Sequence, residues 1–183
     1  KDQLKVAKIE YNLLPNWRWL VNNYTNNSLV PDNKFIILAP GAAKHRLNKK
    51  WPQSSYASLI ECFSKIDMQC ILIGGDDEFD NIQNIISLVG KKIKKRPLNY
   101  AGITSYKDIV YLSAYAKHAI GNDTGPTHLI ATSGLSTTVL FGSASNPNLC
   151  APKGKNVTIL SDRSISNISV DSVLITIKNI SID

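Results

Sequence analysis

The sequence predicts an α/β protein built on a doubly wound parallel sheet. From Phe35 onward, short apolar runs alternate about six times with amphipathic stretches. The runs end in glycine, proline or acidic residues, as strands do when they lead into helices. Such alternation requires right-handed crossovers and places helices on both faces of the sheet. Composition agrees: 183 residues at 43% hydrophobic and 19% charged describe one domain that folds without disulfide or metal.

Phe35-Ile-Ile-Leu-Ala39 reads as the first strand, closed by Pro40-Gly41. A helix follows over Ser54–Lys65, with Tyr56, Leu59, Ile60 and Phe63 on one face. Gln69–Gly74 is the second strand. Glu78–Val89 is a helix whose Ile82, Ile85, Ile86 and Val89 recur at spacings of three and four. Leu98–Ala101 is a short strand, and Ser105 with Asp108 three residues on opens the next helix. His118–Gly121 is the fourth strand, and Pro126–Ser133 a helix ended by Gly134. Thr137–Phe141 and Val157–Leu160 are the last strands, and a final helix runs from Ser169 to Ile177.

Residues 1–34 stand outside this alternation and form an N-terminal segment ahead of the domain over 35–183. Leu13, Leu14, Trp17, Trp19, Leu20 and Val21 make it apolar, so it is expected to pack on the sheet or on a partner domain or chain. Cys62, Cys70 and Cys150 have no CxxC spacing and no nearby histidine, which argues for free thiols in a reducing compartment. Cys62 and Cys70 are expected to be buried. No apolar run approaches a membrane span, and Lys1–Lys5 lacks the apolar stretch of a signal peptide.

The net charge of +7 is local. Lys91-Lys-Ile-Lys-Lys-Arg96 holds five basic residues in six positions; without them 16 basic face 14 acidic residues. The run reads as a solvated loop or as a site for a polyanion. Nucleic acid is not expected, because no aromatic residue interleaves the run to stack bases.

In doubly wound sheets ligands bind beyond the carboxyl ends of the strands. Three loops there carry chemistry. Gly121-Asn-Asp-Thr-Gly-Pro-Thr-His128 passes from strand to turn to helix, with Pro126 in the first turn and free N–H groups suited to phosphate. Asp123 ahead of the turn suits a ribose hydroxyl, the orientation of a neighbour or a simple cap; His128 suits a phosphate or sugar oxygen. The loop after the first strand has small residues Gly41–Ala43 and four cations, Lys44, Arg46, Lys49 and Lys50, without a Walker pattern. The acidic loop Gly74-Gly-Asp-Asp-Glu78 suits ribose hydroxyls or helix capping. Together they describe a nucleotide site, with no metal cluster and no nucleophile–histidine pair.

The order Pro40-Gly-Ala, Lys49-Lys-Trp-Pro52, Gly74-Gly-Asp-Asp-Glu78, Tyr100-Ala-Gly-Ile-Thr-Ser105, Gly121-Asn-Asp-Thr-Gly-Pro-Thr-His-Leu-Ile-Ala131 and Phe141-Gly142 resembles family 9 glycosyltransferases, the lipopolysaccharide heptosyltransferases. The likeness runs from about Phe35 to Phe141 and weakly to the end. It implies the C-terminal, donor-binding, Rossmann-like half of a two-domain GT-B transferase that inverts the sugar without metal or cofactor. It implies that Lys49 contacts the donor diphosphate, that Asp77 or Glu78 lies near the ribose, and that Asp123, Thr124, Gly125 and His128 hold sugar and phosphates. The donor expected is ADP-heptose, and the acceptor a lipopolysaccharide core. The enzyme is expected in the bacterial cytoplasm, peripherally associated with the inner face of the inner membrane. The general base and acceptor site belong to an N-terminal domain for which residues 1–34 are too few. The chain alone is therefore expected to bind donor without transferring it, and residues 1–34 are expected to be the remnant of the interdomain region. A non-catalytic nucleotide-binding module and a polyanion-binding domain are the alternatives.

Overall fold

Strand β1 (Phe35–Ala39) lies in the middle of a six-stranded, wholly parallel sheet of order β3-β2-β1-β4-β5-β6. The computed structural model describes residues 6–8, 16–42 and 46–177. Leu13, Leu14, Ala43 and Lys44, named above, lie outside them.

The remaining strands are β2 (Gln69–Leu72), β3 (Leu98–Asn99), β4 (Ala119–Asn122), β5 (Thr137–Phe141) and β6 (Val157–Ser161). Helices α1 (Gln53–Lys65) and α2 (Phe79–Leu88) follow β1 and β2, while α3 (Tyr106–Tyr115) and α4 (Gly125–Thr132) follow β3 and β4. The short α5 (Pro147–Cys150) was not expected, and α6 (Val170–Ile177) closes the described chain.

Strand alternation assigns the faces. Ile36, Leu38, Leu72, Ile120 and Leu140 point to one side, where Tyr56, Leu59 and Phe63 of α1, Ile82 and Ile85 of α2 and Val173 of α6 cover them. Phe35, Ile37, Ile71, Ile73 and Ala119 point to the other, under Ile109 and Leu112 of α3 and Ile130 of α4. With both faces covered, the central strands carry continuous apolar runs rather than alternation. Gly121 of β4 pairs with Ala39 of β1, and a Cβ there would collide with Thr127 Oγ1 and stand 3.0 Å from the Ala39 carbonyl oxygen. Cys70 is buried as expected, but Cys62 is only half-buried on α1.

The segment before β1 is hydrogen-bonded to α3 and α4, and its Leu29 and Val30 pack against the core cluster that holds Phe35 and Ile37 of β1. Asp108 closes a capping box with Ser105 at the start of α3. Its other oxygen accepts from Tyr24 Oη, and from Asn26 Nδ2 at 2.7 Å. Tyr111 Oη donates to Asn27 Oδ1 at 2.6 Å. Trp17 and Trp19 meet at a tilt of 37° with ring centroids 6.0 Å apart and remain 38% and 60% exposed. Packing of the two indoles on the sheet, one of the expectations, is thereby corrected. Polar anchors, Leu29 and Val30 on the core and an edge contact of Tyr24 with Tyr111 hold this segment without burying either indole.

Asp108 gives the anchoring a pH signature. Burial pushes its carboxyl up, but hydrogen bonds from Ser105, Tyr24 and Asn26 outweigh burial and lower it from 3.8 to about 2. A depressed carboxyl stabilises fully above its unfolded value, and the contribution is lost as pH falls through the folded one. Urea midpoints of wild type should therefore drop between pH 4 and pH 2 by more than those of Asp108→Ala. Parallel curves for the two proteins would remove Asp108 from the anchoring role.

Candidate functional site

The chain leaves β1 for α1 on one face of the sheet and leaves β4 for α4 on the other. The two loops diverge, and a crevice opens between neighbouring strands, the switch point at which doubly wound sheets take ligands. Asn122, the last residue of β4, spans it. Its side chain is wholly buried, donates to the carbonyls of Pro40 (2.7 Å) and Gly41 (3.2 Å), and accepts from Trp51 N (3.2 Å) and Tyr56 Oη (3.1 Å). One amide thus fixes both ends of the β1–α1 loop to β4. Trp51 is held in turn by its indole N–H on the Ile168 carbonyl (2.8 Å) and by an edge contact with Tyr56.

Beyond Asn122 the loops enclose a cavity of about 390 Å³, within the roughly 300–1,000 Å³ of small-ligand pockets. One wall brings Arg46 and Lys49 against Asp123, Thr124 and Gly125; the facing wall is Gly74, Gly75, Asp77 and Glu78. Lys49 and Asp123, far apart in sequence, form an ion pair at 2.7 Å. The other oxygen of Asp123 meets His128 Nε2 at 3.0 Å. Burial pushes the Asp123 carboxyl up, but hydrogen bonds from His128, Lys49 and Ser145 and the Lys49 charge outweigh it and hold the group below its usual value. Asp123 is thus a fixed anion orienting a cation and an imidazole. It does not cap α4: Thr124 stands at the cap position without a side-chain bond.

The start of α4 is open to the cavity. Thr124 Oγ1 is buried yet has no hydrogen-bond partner, and nothing lies within 4 Å of where a Cβ on Gly125 would stand. Free first-turn N–H groups, an unpartnered hydroxyl and Lys49 together make a seat for an anion. His128 is not part of the cavity lining; it reaches the site through Asp123.

The acidic wall divides its labour. Glu78 is buried and engaged, by Lys50 Nζ at 3.1 Å and Asn81 Nδ2 at 2.9 Å. Asp77 is exposed on the cavity lining. Neither Glu78 nor Asp77 caps a helix through its side chain. Lys50 and Lys49, adjacent in sequence, therefore face different walls, and Lys50 is part of the frame.

Residues 15–172 match the model of glycosyltransferase family 9 (heptosyltransferase). The chain belongs to this family. It is 26% identical over 133 residues to lipopolysaccharide heptosyltransferase 2 of Salmonella typhimurium, covering 73% of this chain and 38% of that protein. The Escherichia coli protein of the same name is 26% identical over 140 residues, which cover 75% and 40% of the two chains. The chain thus spans about two fifths of the length of these curated relatives. Among solved structures, Escherichia coli ADP-heptose lipopolysaccharide heptosyltransferase II superposes with a TM-score of 0.75 at 23% identity, over 88% of this chain and 50% of that one. A family 9 glycosyltransferase of Veillonella parvula gives 0.72 at 18% identity, over 94% and 53%. These likenesses establish the Rossmann-like fold of a GT-B half.

In this family 9 domain, sequence reasoning found the three loops and missed Asn122 and the Asp123–His128 contact. A polar residue ending an otherwise apolar strand was the available signal for Asn122. Asn122→Ala leaves four buried groups unpartnered, and the expected loss of stability is about 2–4 kcal/mol, from the cost of unmade buried hydrogen bonds. A loss under about 1 kcal/mol in urea unfolding would show the loop to be held by packing alone.

Proposed function

We propose that the cavity binds the diphosphate of a nucleotide-sugar donor, ADP-heptose, and that this chain is the donor half of a heptosyl transfer that inverts the sugar without metal. The observation that carries the reading is the anion seat itself: Lys49, the unpartnered Thr124 hydroxyl and the open start of α4 on one wall, facing exposed Asp77. Family membership and relatives named as heptosyltransferases support the choice of sugar.

The chemistry divides in two. As the acceptor hydroxyl attacks the anomeric carbon, its proton passes to a base while negative charge grows on the departing diphosphate. Lys49 and the N–H groups of α4 offset that charge. Asp123 keeps Lys49 and His128 in place, and Asp77 takes a ribose hydroxyl. The base and acceptor site belong to an N-terminal half, so donor binding and transfer are separable.

Calorimetry in excess EDTA should detect ADP binding to this chain. Lys49→Ala should weaken it by about 1.5–3 kcal/mol, the range for a charged hydrogen bond, and Lys50→Ala by much less. No heat with millimolar ADP, or equal small losses at both lysines, would return the loop to a merely basic surface.

Transfer should appear only when an N-terminal half is added in trans or by fusion, since omitting the base alone costs about 10²–10⁴ in rate. Turnover by the isolated chain that is abolished in His128→Ala would instead make His128 the base.

A further inference from the structure

The basic run that the donor site leaves unused forms one wall of a second cavity, at the edge of the sheet where the strands begin. The cavity measures about 480 Å³ and lies between the last turn of α1 and the connection from α2 to β3. Glu61, Ser64 and Lys65 line it from the helix; Lys91, Lys92 and Lys94 line it from the connection. The connection is tied down at both ends. Gly90 N donates to Glu61 Oε1 at 2.8 Å, Lys95 N donates to Ser64 Oγ at 3.1 Å, and between these ties Ile93 packs against the core. Pinned in this way, the segment holds Lys91, Lys92 and Lys94 exposed along the cavity.

The charges of this cavity are not balanced within the chain. Glu61 stands four residues before Lys65 on α1, the favoured order for a helical ion pair, yet its bond is to the Gly90 N–H. Among the described residues none of the four lysines has a carboxylate within ion-pair distance. The lining therefore sets four cations against one carboxylate, whereas the donor cavity sets Arg46 and Lys49 against Asp77, Glu78 and Asp123. Cations favour helix C-termini, which accounts for Lys65 in the last turn of α1. It does not account for Lys91, Lys92 and Lys94, which belong to no helix and repel one another. Ser64 adds a donor on the same wall. It is 2% exposed and its oxygen accepts from Lys95 N, which leaves its proton for another acceptor.

We propose that this cavity binds a compact polyphosphate, an anion of three or more charges such as inorganic tripolyphosphate or the triphosphate end of a nucleotide. Lysines stand on two facing walls, so a single phosphate satisfies one wall while a short chain of phosphates meets both. Ammonium groups serve such a ligand as point charges that follow its oxygens. Ile93 is the only apolar side chain in the lining and no aromatic ring is among it, so the phosphates are recognised and a base is not. The volume lies within the range of small-ligand pockets. The cavity shares no lining residue with the donor cavity, which opens at the other edge of the sheet. This inference does not depend on what the donor cavity binds.

The test is calorimetry of the 183-residue chain with inorganic tripolyphosphate and with orthophosphate at about 100 mM salt. Tripolyphosphate is expected to bind, and orthophosphate to bind roughly a hundredfold more weakly. K91Q/K92Q/K94Q should weaken tripolyphosphate binding by roughly a hundredfold while leaving the urea midpoint unchanged, since these lysines pair with no carboxylate in the fold. Glu61→Gln keeps an oxygen for the Gly90 N–H and removes the one carboxylate, so it should tighten binding several-fold. Lys49→Ala should leave tripolyphosphate binding unchanged, and in that variant ATP should bind as tripolyphosphate does. No heat with millimolar tripolyphosphate, an unaffected triple variant, or an equal loss in K107Q/K153Q/K155Q would overturn the proposal. So would ATP binding more than about tenfold tighter than tripolyphosphate, which would show that a base is read. Tighter binding of polyuridylate, phosphate for phosphate, would overturn it in favour of a nucleic-acid surface.

Discussion

Everything at the carboxyl edge of this sheet depends on the Asn122 side chain. The switch point is a place where two loops part, and loops that part have no ladder to hold them. Asn122 substitutes for that ladder by taking two carbonyls from one end of the β1–α1 loop and two donors from the other. An amide can do this because it offers two donors and an acceptor with two lone pairs on one rigid plane. A carboxylate would repel the carbonyls, and an apolar side chain would leave all four groups unpaired in the protein interior.

The frame set by Asn122 decides what the neighbouring charges can do. Lys49 meets Asp123 only because the loop is folded back over β4, and Lys50 turns to Glu78 on the other wall. Both pairs are sheltered, so they are screened less than surface ion pairs and hold their geometry. The open start of α4 is left without a capping side chain between them. A wall with fixed cations, an unpartnered hydroxyl and free N–H groups is prepared for an anion before one arrives, which lowers the reorganisation needed when charge develops.

The two edges of the sheet are chemically unlike. The carboxyl edge mixes signs around its cavity, while the amino edge gathers lysines around a cavity with one carboxylate. Parallel topology is the cause, since it collects every strand start on one side and every strand end on the other. A charge excess that looks like one local run along the chain becomes one wall of a cavity, with Lys65 of α1 on the other.

Strand and helix order was legible because both faces of the sheet are buried and the apolar periods are therefore strong. The capping box at Ser105 and Asp108 and the glycine stop at Gly134 were legible for the same local reason, since turn and cap chemistry is encoded within a few residues. The loops that line the cavity followed from their place after the strands. What the sequence could not assign were partners brought together by folding: the Asn122 clamp, Lys49 with Asp123, Lys50 with Glu78, and Trp17 and Trp19 left exposed while their segment is anchored on α3 and α4. Local periodicity reports which face a residue takes; it does not report which side chain, 28 to 82 residues away, will stand opposite. That depends on strand order and register, which are set by the packing of the whole sheet.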